Sequence, residues 1–243
     1  MWLGASASGQ GFVLRAQGFN PEVISTYPVQ FIIGGYEEIG DAYADTYNMD
    51  GHTFYVLGFP KADATWVYDL EMQLWHERGT WAVGAVDYSI WRPRCHAFAF
   101  GEHRWLDITD GAVYRMAQGL WTDASGFSTL PIRRLRRAPA IESENDRVFY
   151  GSFELDIELG DGLENGQGSD PQVMLRISRN GGATFGSERW RSGGKHGDRK
   201  RRIMWDRIGM ARRLVLEIVV SDPIPWKVTG GYLSKPEGEE GAA

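Results

Sequence analysis

The sequence predicts an all-β protein, a partial β-propeller of blade-like repeats followed by a β-sandwich-like region. Three observations carry this reading. A motif of the form V-Y-x-[LM]-x-x-x-L-W occurs twice, 46 residues apart, and a period of about 40–50 residues is that of propeller blades. Aromatic residues are abundant, with 10 Trp, 10 Tyr and 11 Phe beside 31 Gly, which suits many short strands joined by tight turns. The later part of the chain alternates apolar and polar residues with the period of two that a half-buried strand requires.

Taken in order, the chain opens on a worn copy of the unit, Trp2-Leu3-Gly4 and then Phe12-Val13-Leu14-Arg15-Ala16-Gln17-Gly18. Ile39, Tyr43 and Tyr47 follow at i, i+4, i+8. That spacing fits a short amphipathic helix inserted around 37–47, and equally a surface loop with aromatic anchors. The first full unit has the strand Thr53-Phe54-Tyr55-Val56-Leu57-Gly58, then Val67-Tyr68-Asp69-Leu70 closing on Leu74-Trp75. The second has His96-Ala97-Phe98-Ala99-Phe100-Gly101, then Val113-Tyr114-Arg115-Met116 closing on Leu120-Trp121. Both opening runs are apolar on both faces, as strands inside stacked sheets are. Asp110-Gly111 is a strong hairpin signal between Trp105-Leu106-Asp107-Ile108 and Ala112-Val113-Tyr114. Trp66, Tyr68, Trp75, Tyr114 and Trp121 are the expected blade anchors, with Trp75 and Trp121 equivalent and buried.

Composition changes at Pro131, so blades are expected over 1–130 and the sandwich-like region over 131–233. There Phe153, Leu155, Ile157 and Leu159 share one strand face, opposite Glu154, Asp156 and Glu158. Val173-Met174-Leu175-Arg176-Ile177 and Leu214-Val215-Leu216-Glu217-Ile218-Val219-Val220 are further strands. Residues 234–243 read as a flexible tail.

The motifs that carry chemistry are weak. Ser178, Asn180, Gly182, Thr184 and Phe185 fall on an Asp-box-like pattern, with Asn for Asp and Phe for Trp. Asn-Gly-Gly supplies positive φ and the aromatic packs back on the strand, so a folding element is expected. Such hairpins also occur in sialidases, and a glycan-binding or glycan-cleaving receptor-binding protein is the alternative function. The histidines His52, His76, His96, His103 and His196 show no metal-binding spacing. Asp161, Glu164, Asn165 and Asp170 do not follow the order of a calcium loop. Glu154, Asp156 and Glu158 resemble a paired-carboxylate site but have the period of a solvated strand face. Nucleophile and phosphate-loop patterns are absent, so no catalytic residue, cofactor or metal is expected, and the protein is not expected to be an enzyme.

Formal charge is −6, which gives no support to a phosphate-neutralising protein. Two basic clusters stand out, Arg133, Arg134, Arg136 and Arg137, and Arg199, Lys200, Arg201 and Arg202. The preferred reading is contact with an acidic neighbouring subunit, and a DNA-facing patch comes second. The single cysteine, Cys95, cannot form an intrachain disulfide, consistent with assembly in a reducing host cytoplasm. Neither a signal-peptide pattern nor a span of about 20 apolar residues is expected to take the chain into a membrane.

Several segments, in collinear order from about residue 1 to 232, resemble the phage packaged-DNA stabilisation family, whose members form the nozzle or hub of podovirus tails. They are Asp41-Ala42-Tyr43-Ala44, Gly51-His52-Thr53-Phe54-Tyr55-Val56-Leu57, and Thr65-Trp66-Val67-Tyr68-Asp69-Leu70 with Leu74-Trp75-His76-Glu77-Arg78. The hairpin at residues 178–185, Gly194-Lys195, Arg201-Arg202-Ile203-Met204-Trp205-Asp206-Arg207-Ile208-Gly209 and Ser221-Asp222-Pro223 complete the match. The resemblance implies a structural virion protein in a ring, hexameric in the family. An adaptor or head-completion protein would lie above it and a tail needle, fibre or spike below. It would retain packaged DNA, form part of the ejection conduit and touch passing DNA without sequence preference. Family chains are longer, so this sequence resembles their C-terminal portion or a shortened relative.

Overall fold

The computed structural model describes residues 1–5, 11–82, 84–125, 128–158, 162–199 and 201–234. The expected tail, apart from Ser234, lies outside the described residues, as do Lys200, Leu159 and Asp161. Every pair of named strands is antiparallel, and the chain forms two compact units, Met1–Gln118 and Gly119–Ala243.

Unit 1 contains three meanders. The first is β1 (Trp2–Ala5), β2 (Gly11–Gln17) and β3 (Asn20–Val23), followed by α1 (Tyr27–Gly34). The second is β4 (Tyr43–Met49), β5 (His52–Phe59), β6 (Ala64–Asp69), β7 (Leu74–Thr80) and β8 (Ser89–Ile90). The third is β9 (Pro93–Ala99), β10 (Glu102–Asp107) and β11 (Val113–Met116). Tight two-residue turns join β4 to β5 and β9 to β10. At the first, Asp50 and Gly51 have φ of 54° and 81°, the left-handed pair that matches the twist of a hairpin.

The middle sheet is buried on both sides, which is why β5 and β6 are apolar almost throughout. Tyr55, Leu57, Phe59, Trp66 and Tyr68 pack with Val13 of the first sheet and with Val29 and Ile33 of α1. Tyr47, Val56 and Val67, on the opposite face, pack with Trp105 of the third sheet. Face-to-face stacking of successive antiparallel meanders is the arrangement of propeller blades.

The helix expected around 37–47 is not there. Tyr43–Met49 is β4, paired with β5 from Tyr43↔Gly58 to Met49↔His52. A spacing of four satisfies a strand's period of two as well as a helix's, so Tyr43 and Tyr47 share a strand face. The only helix among the described residues is α1, with Pro28 in its first turn and Val29 and Ile33 buried at i, i+4. No described helix is long and apolar enough to cross a membrane.

The two copies of the repeat also end differently. In the first copy β6 pairs with β7, placing Trp75 opposite Tyr68. In the second copy no strand follows β11 in its sheet. The chain leaves at Gly119, and β12 (Thr122–Ser125) pairs with β13 (Ser128–Pro131). Trp121 therefore has no place equivalent to that of Trp75. Neither is fully buried, and Trp121 lies under the Arg134 guanidinium, 5.3 Å from the ring centroid.

Unit 2 continues with β14 (Arg134–Arg137), β15 (Ile141–Glu142), β16 (Val148–Ile157), β17 (Gln172–Ser178), β18 (Arg189–Ser192), β19 (Ile203–Ala211), β20 (Arg213–Val220) and β21 (Val228–Ser234). One sheet runs β14-β20-β17-β18, with β15 also on β20, and the other runs β19-β16-β21. Their facing side chains form one core, including Leu155, Leu175, Ile177, Trp205, Leu214 and Leu216. This is a β-sandwich. Along β16 the inward positions change from Val148 and Tyr150 to Phe153 and Leu155. A bulge lies beside this change: Tyr150 opposes Gly209 while Ser152 opposes Asp206, so β19 has one residue more, next to Arg207 with φ 57°.

Candidate functional site

The Asp-box-like hairpin is closed by its own side chains. Buried Ser178 donates to Asn180 Oδ1 (2.7 Å) and accepts from the Gly182 N–H (2.9 Å). Asn180 Oδ1 also accepts from the Thr184 N–H (3.0 Å), while Asn180 Nδ2 donates to Thr184 Oγ1 (2.8 Å). Gly181 and Gly182 have φ of 74° and 96°, so glycine suits both positions. Phe185 lies beneath the guanidinium groups of Arg137 and Arg176, at 4.9 and 5.1 Å. Both arginines pair with Glu217, at 2.7 and 3.2 Å, and Glu217 is only 1% exposed. The three charged residues are cross-strand neighbours on β14, β20 and β17.

The basic clusters are divided among separate tasks. Arg134 donates to the carbonyls of Ile224 (2.6 Å) and Asp222 (2.5 Å) and lies over Trp121 and Trp226. Arg137 points to the opposite side of β14, to Glu217. Arg133 is engaged, and Arg136 is exposed. In the second cluster Arg202 forms a two-pronged pair with Glu154, and Arg201 reaches Asp198 at 3.8 Å. Arg199 is exposed.

The acidic strand face is solvated, with Asp156 and Glu158 exposed and Glu158 3.5 Å from Lys227. His52, Asp69 and Glu71 are the one group among the described residues whose ligand atoms lie close enough to hold a metal. Their donors are already used. Asp69 pairs with His52 (2.8 Å) and accepts the N–H groups of Glu71 and Met72, and Glu71 accepts from the Thr53 N–H and hydroxyl. His96 and His103 face each other at 3.0 Å. Burial, with the His103 ring opposite, holds His96 below the ordinary histidine range, so His96 favours the uncharged form at neutral pH.

The feature with clearest consequence is the outer faces of the blade stack. Directly opposed residues of antiparallel strands point to the same side. On the first sheet Trp2, Leu14 and Val23 form a row across all three strands, with Trp2 42% and Val23 51% exposed. On the third, Cys95, Leu106 and Val113 form a similar row, and all three are exposed. The repeat shows what this means. Val67 of the first copy is 0% exposed beneath the third sheet, whereas Val113 of the second copy is 57% exposed. The same repeat position is covered once and bare once. Both valines are legible in the sequence and the difference between them is not, because cover depends on the next sheet and not on the strand itself.

Stacked meanders with bare outer faces, followed in the chain by a β-sandwich, define a fold of the propeller-and-sandwich type. Residues 1–120 match the family model described as bacteriophage P22 Gp10, beta-propeller, and residues 133–234 the one described as bacteriophage P22 Gp10, beta-sandwich. The chain belongs to this family of phage packaged-DNA stabilisation proteins and is a phage structural protein. No individual curated protein matches it.

Proposed function

We propose that the protein is a nozzle or hub subunit of a short phage tail, forming a ring with copies of itself below the portal and adaptor. In that place it retains the packaged genome, forms part of the ejection conduit, and meets the needle, fibre or spike proteins beneath it. Six copies are taken from the family resemblance. The observation that carries the reading is the pair of bare apolar rows at the two ends of the blade stack, Trp2-Leu14-Val23 and Cys95-Leu106-Val113. Exposed sheet faces and edges of this kind call for cover by further protein, which suits a subunit of a larger assembly. A role without catalysis fits the structural family to which the chain belongs. Arg136 and Arg199 of the basic clusters are exposed and available for contacts between subunits.

Particles assembled without the protein are expected to package DNA and then lose it, read as the ratio of filled to empty heads. Particles that keep their genomes and fail only at host attachment would instead favour a glycan-binding receptor protein.

A further inference from the structure

We infer that a four-arginine cleft at one end of the β-sandwich is the docking site for carboxylates of a neighbouring copy of this chain. The inference rests on the ring reading and names the joint. The cleft, about 580 Å³, is lined by Arg147, Arg179, Arg212 and Arg213, with Asn145 and Asn180 between them. Three connections meet there. They are the turn before β16, the Asp-box-like hairpin, and the tight β19–β20 turn. The hairpin is tied to β20 by the Gly181 N–H bonding to the Arg213 carbonyl at 3.1 Å.

The arginines differ in their state. Arg179 is fixed in place, donating to the Ile208 carbonyl at 2.6 Å. It presses so closely on Gly209 that a Cβ there would lie 3.0 Å from its Nη2. Arg213 shares its charge with Glu142 at 3.0 Å. Arg147 and Arg212 are exposed, and neither has a partner among the described residues. Two free guanidinium forks beside an anchored one, with amide side chains between, form a receptor for oxyanions.

Charge distribution decides which oxyanion. Unit 1 holds 7 Lys or Arg against 14 Asp or Glu, a formal −7, while unit 2 holds 19 against 18, a formal +1. The excess acid of one copy therefore has its complement in the arginine-rich unit of another, and Glu37 and Asp50 of unit 1 are exposed without a partner among the described residues. A duplex fits less well. Glu142 at the end of β15, and Glu144 and Asp146 in the turn with Arg147, would repel a continuous phosphate backbone, whereas a short acidic turn enters between them. A contact of one unit with the other unit of the next copy is heterologous, the type that builds rings.

The test is sedimentation velocity on the full chain at about 0.05 M and about 0.5 M salt, where screening lengths differ several-fold. It compares the wild type, the cleft variant R147E/R212E, the milder R147Q/R212Q, and K195E/K227E, which makes the same charge change elsewhere. All four residues are exposed, and thermal melts verify folding. Expected is salt-sensitive self-association of the wild type, weakened on the order of tenfold or more in both cleft variants and nearly unchanged in K195E/K227E. Wild-type association that both cleft variants retain overturns the cleft and leaves the ring reading intact. A wild type that stays monomeric at both salts overturns both. A fluorescent DNA duplex that binds the wild type but not the cleft variants, with self-association unchanged, assigns the cleft to phosphate and overturns the proposal.

Discussion

Glu217 shows how a single buried charge governs the outer side of the sandwich. It sits in the middle of β20, 1% exposed, with Arg137 and Arg176 on the strands to either side and Phe185 beneath both guanidinium groups. The two arginines keep 54% and 34% of their side-chain surface in solvent, so the trio is asymmetric. Without Glu217 they can rehydrate; without them, Glu217 is left buried and uncompensated. The double variant R137A/R176A is therefore expected to lower the stability of unit 2 by about 3–5 kcal/mol. Glu217→Leu is expected to cost clearly less, because a buried ion pair replaced by apolar volume is often close to neutral. Urea melts of the three proteins decide the matter, and a Glu217→Leu cost exceeding that of the double variant would show that burial of the carboxylate is not what matters. The hairpin of residues 178–185 was legible in the sequence because its bonds are local. The partners of its aromatic ring were not, since Glu217 lies 80 positions from Arg137 and 41 from Arg176.

At the level of elements, the V-Y-x-[LM]-x-x-x-L-W repeat is half a truth. Its first three residues lie in strands β6 and β11, equivalent in role, with Tyr68 opposite Tyr55 and Tyr114 opposite Trp105. Its closing tryptophans are not equivalent. Trp75 extends the second sheet, packs on Tyr68 at 4.9 Å and donates to the Ile24 carbonyl at 2.9 Å. Trp121 belongs to the other unit, beneath Arg134. Trp75→Ala is expected to destabilise unit 1 by about 2–3 kcal/mol, below the range of about 3–5 kcal/mol for a fully buried aromatic. Trp121→Ala is expected to leave unit 1 unchanged and to act only on unit 2. Hydrogen exchange resolved along the chain separates the two, and loss of protection in β9–β11 on Trp121→Ala would restore the equivalence. Strands and hairpins were readable because alternation and Asp-Gly turns are local signals. The misplaced helix and the missing fourth strand have a common cause. A spacing of four serves either element, and a strand's partner is not written in the strand.

For the molecule as a whole, the fold was legible as blades followed by a sandwich, while the surfaces that make it an assembly component were not. Bare and covered positions read alike in a sequence, as Val67 and Val113 show. Those surfaces can be probed without altering the fold, because the chain's one thiol lies on one of them. Cys95 is exposed and shares a row with Leu106 and Val113 on the outer face of the third sheet. No second cysteine competes for a reagent, so modification of the protein by a maleimide reports on that face alone. In the isolated chain Cys95 is expected to react as an accessible thiol does. If further protein covers the face in the particle, as apolar rows on a β-sheet demand, the same residue is expected to be protected by on the order of tenfold or more, an opening cost of about 1.4 kcal/mol or above. Denaturing the particles before labelling restores reactivity and rules out oxidation as the cause. Equal labelling of Cys95 in intact particles and in the isolated chain would mean that the face stays open in the tail. The bare row would then have to be explained as a surface kept for a partner that arrives only during infection.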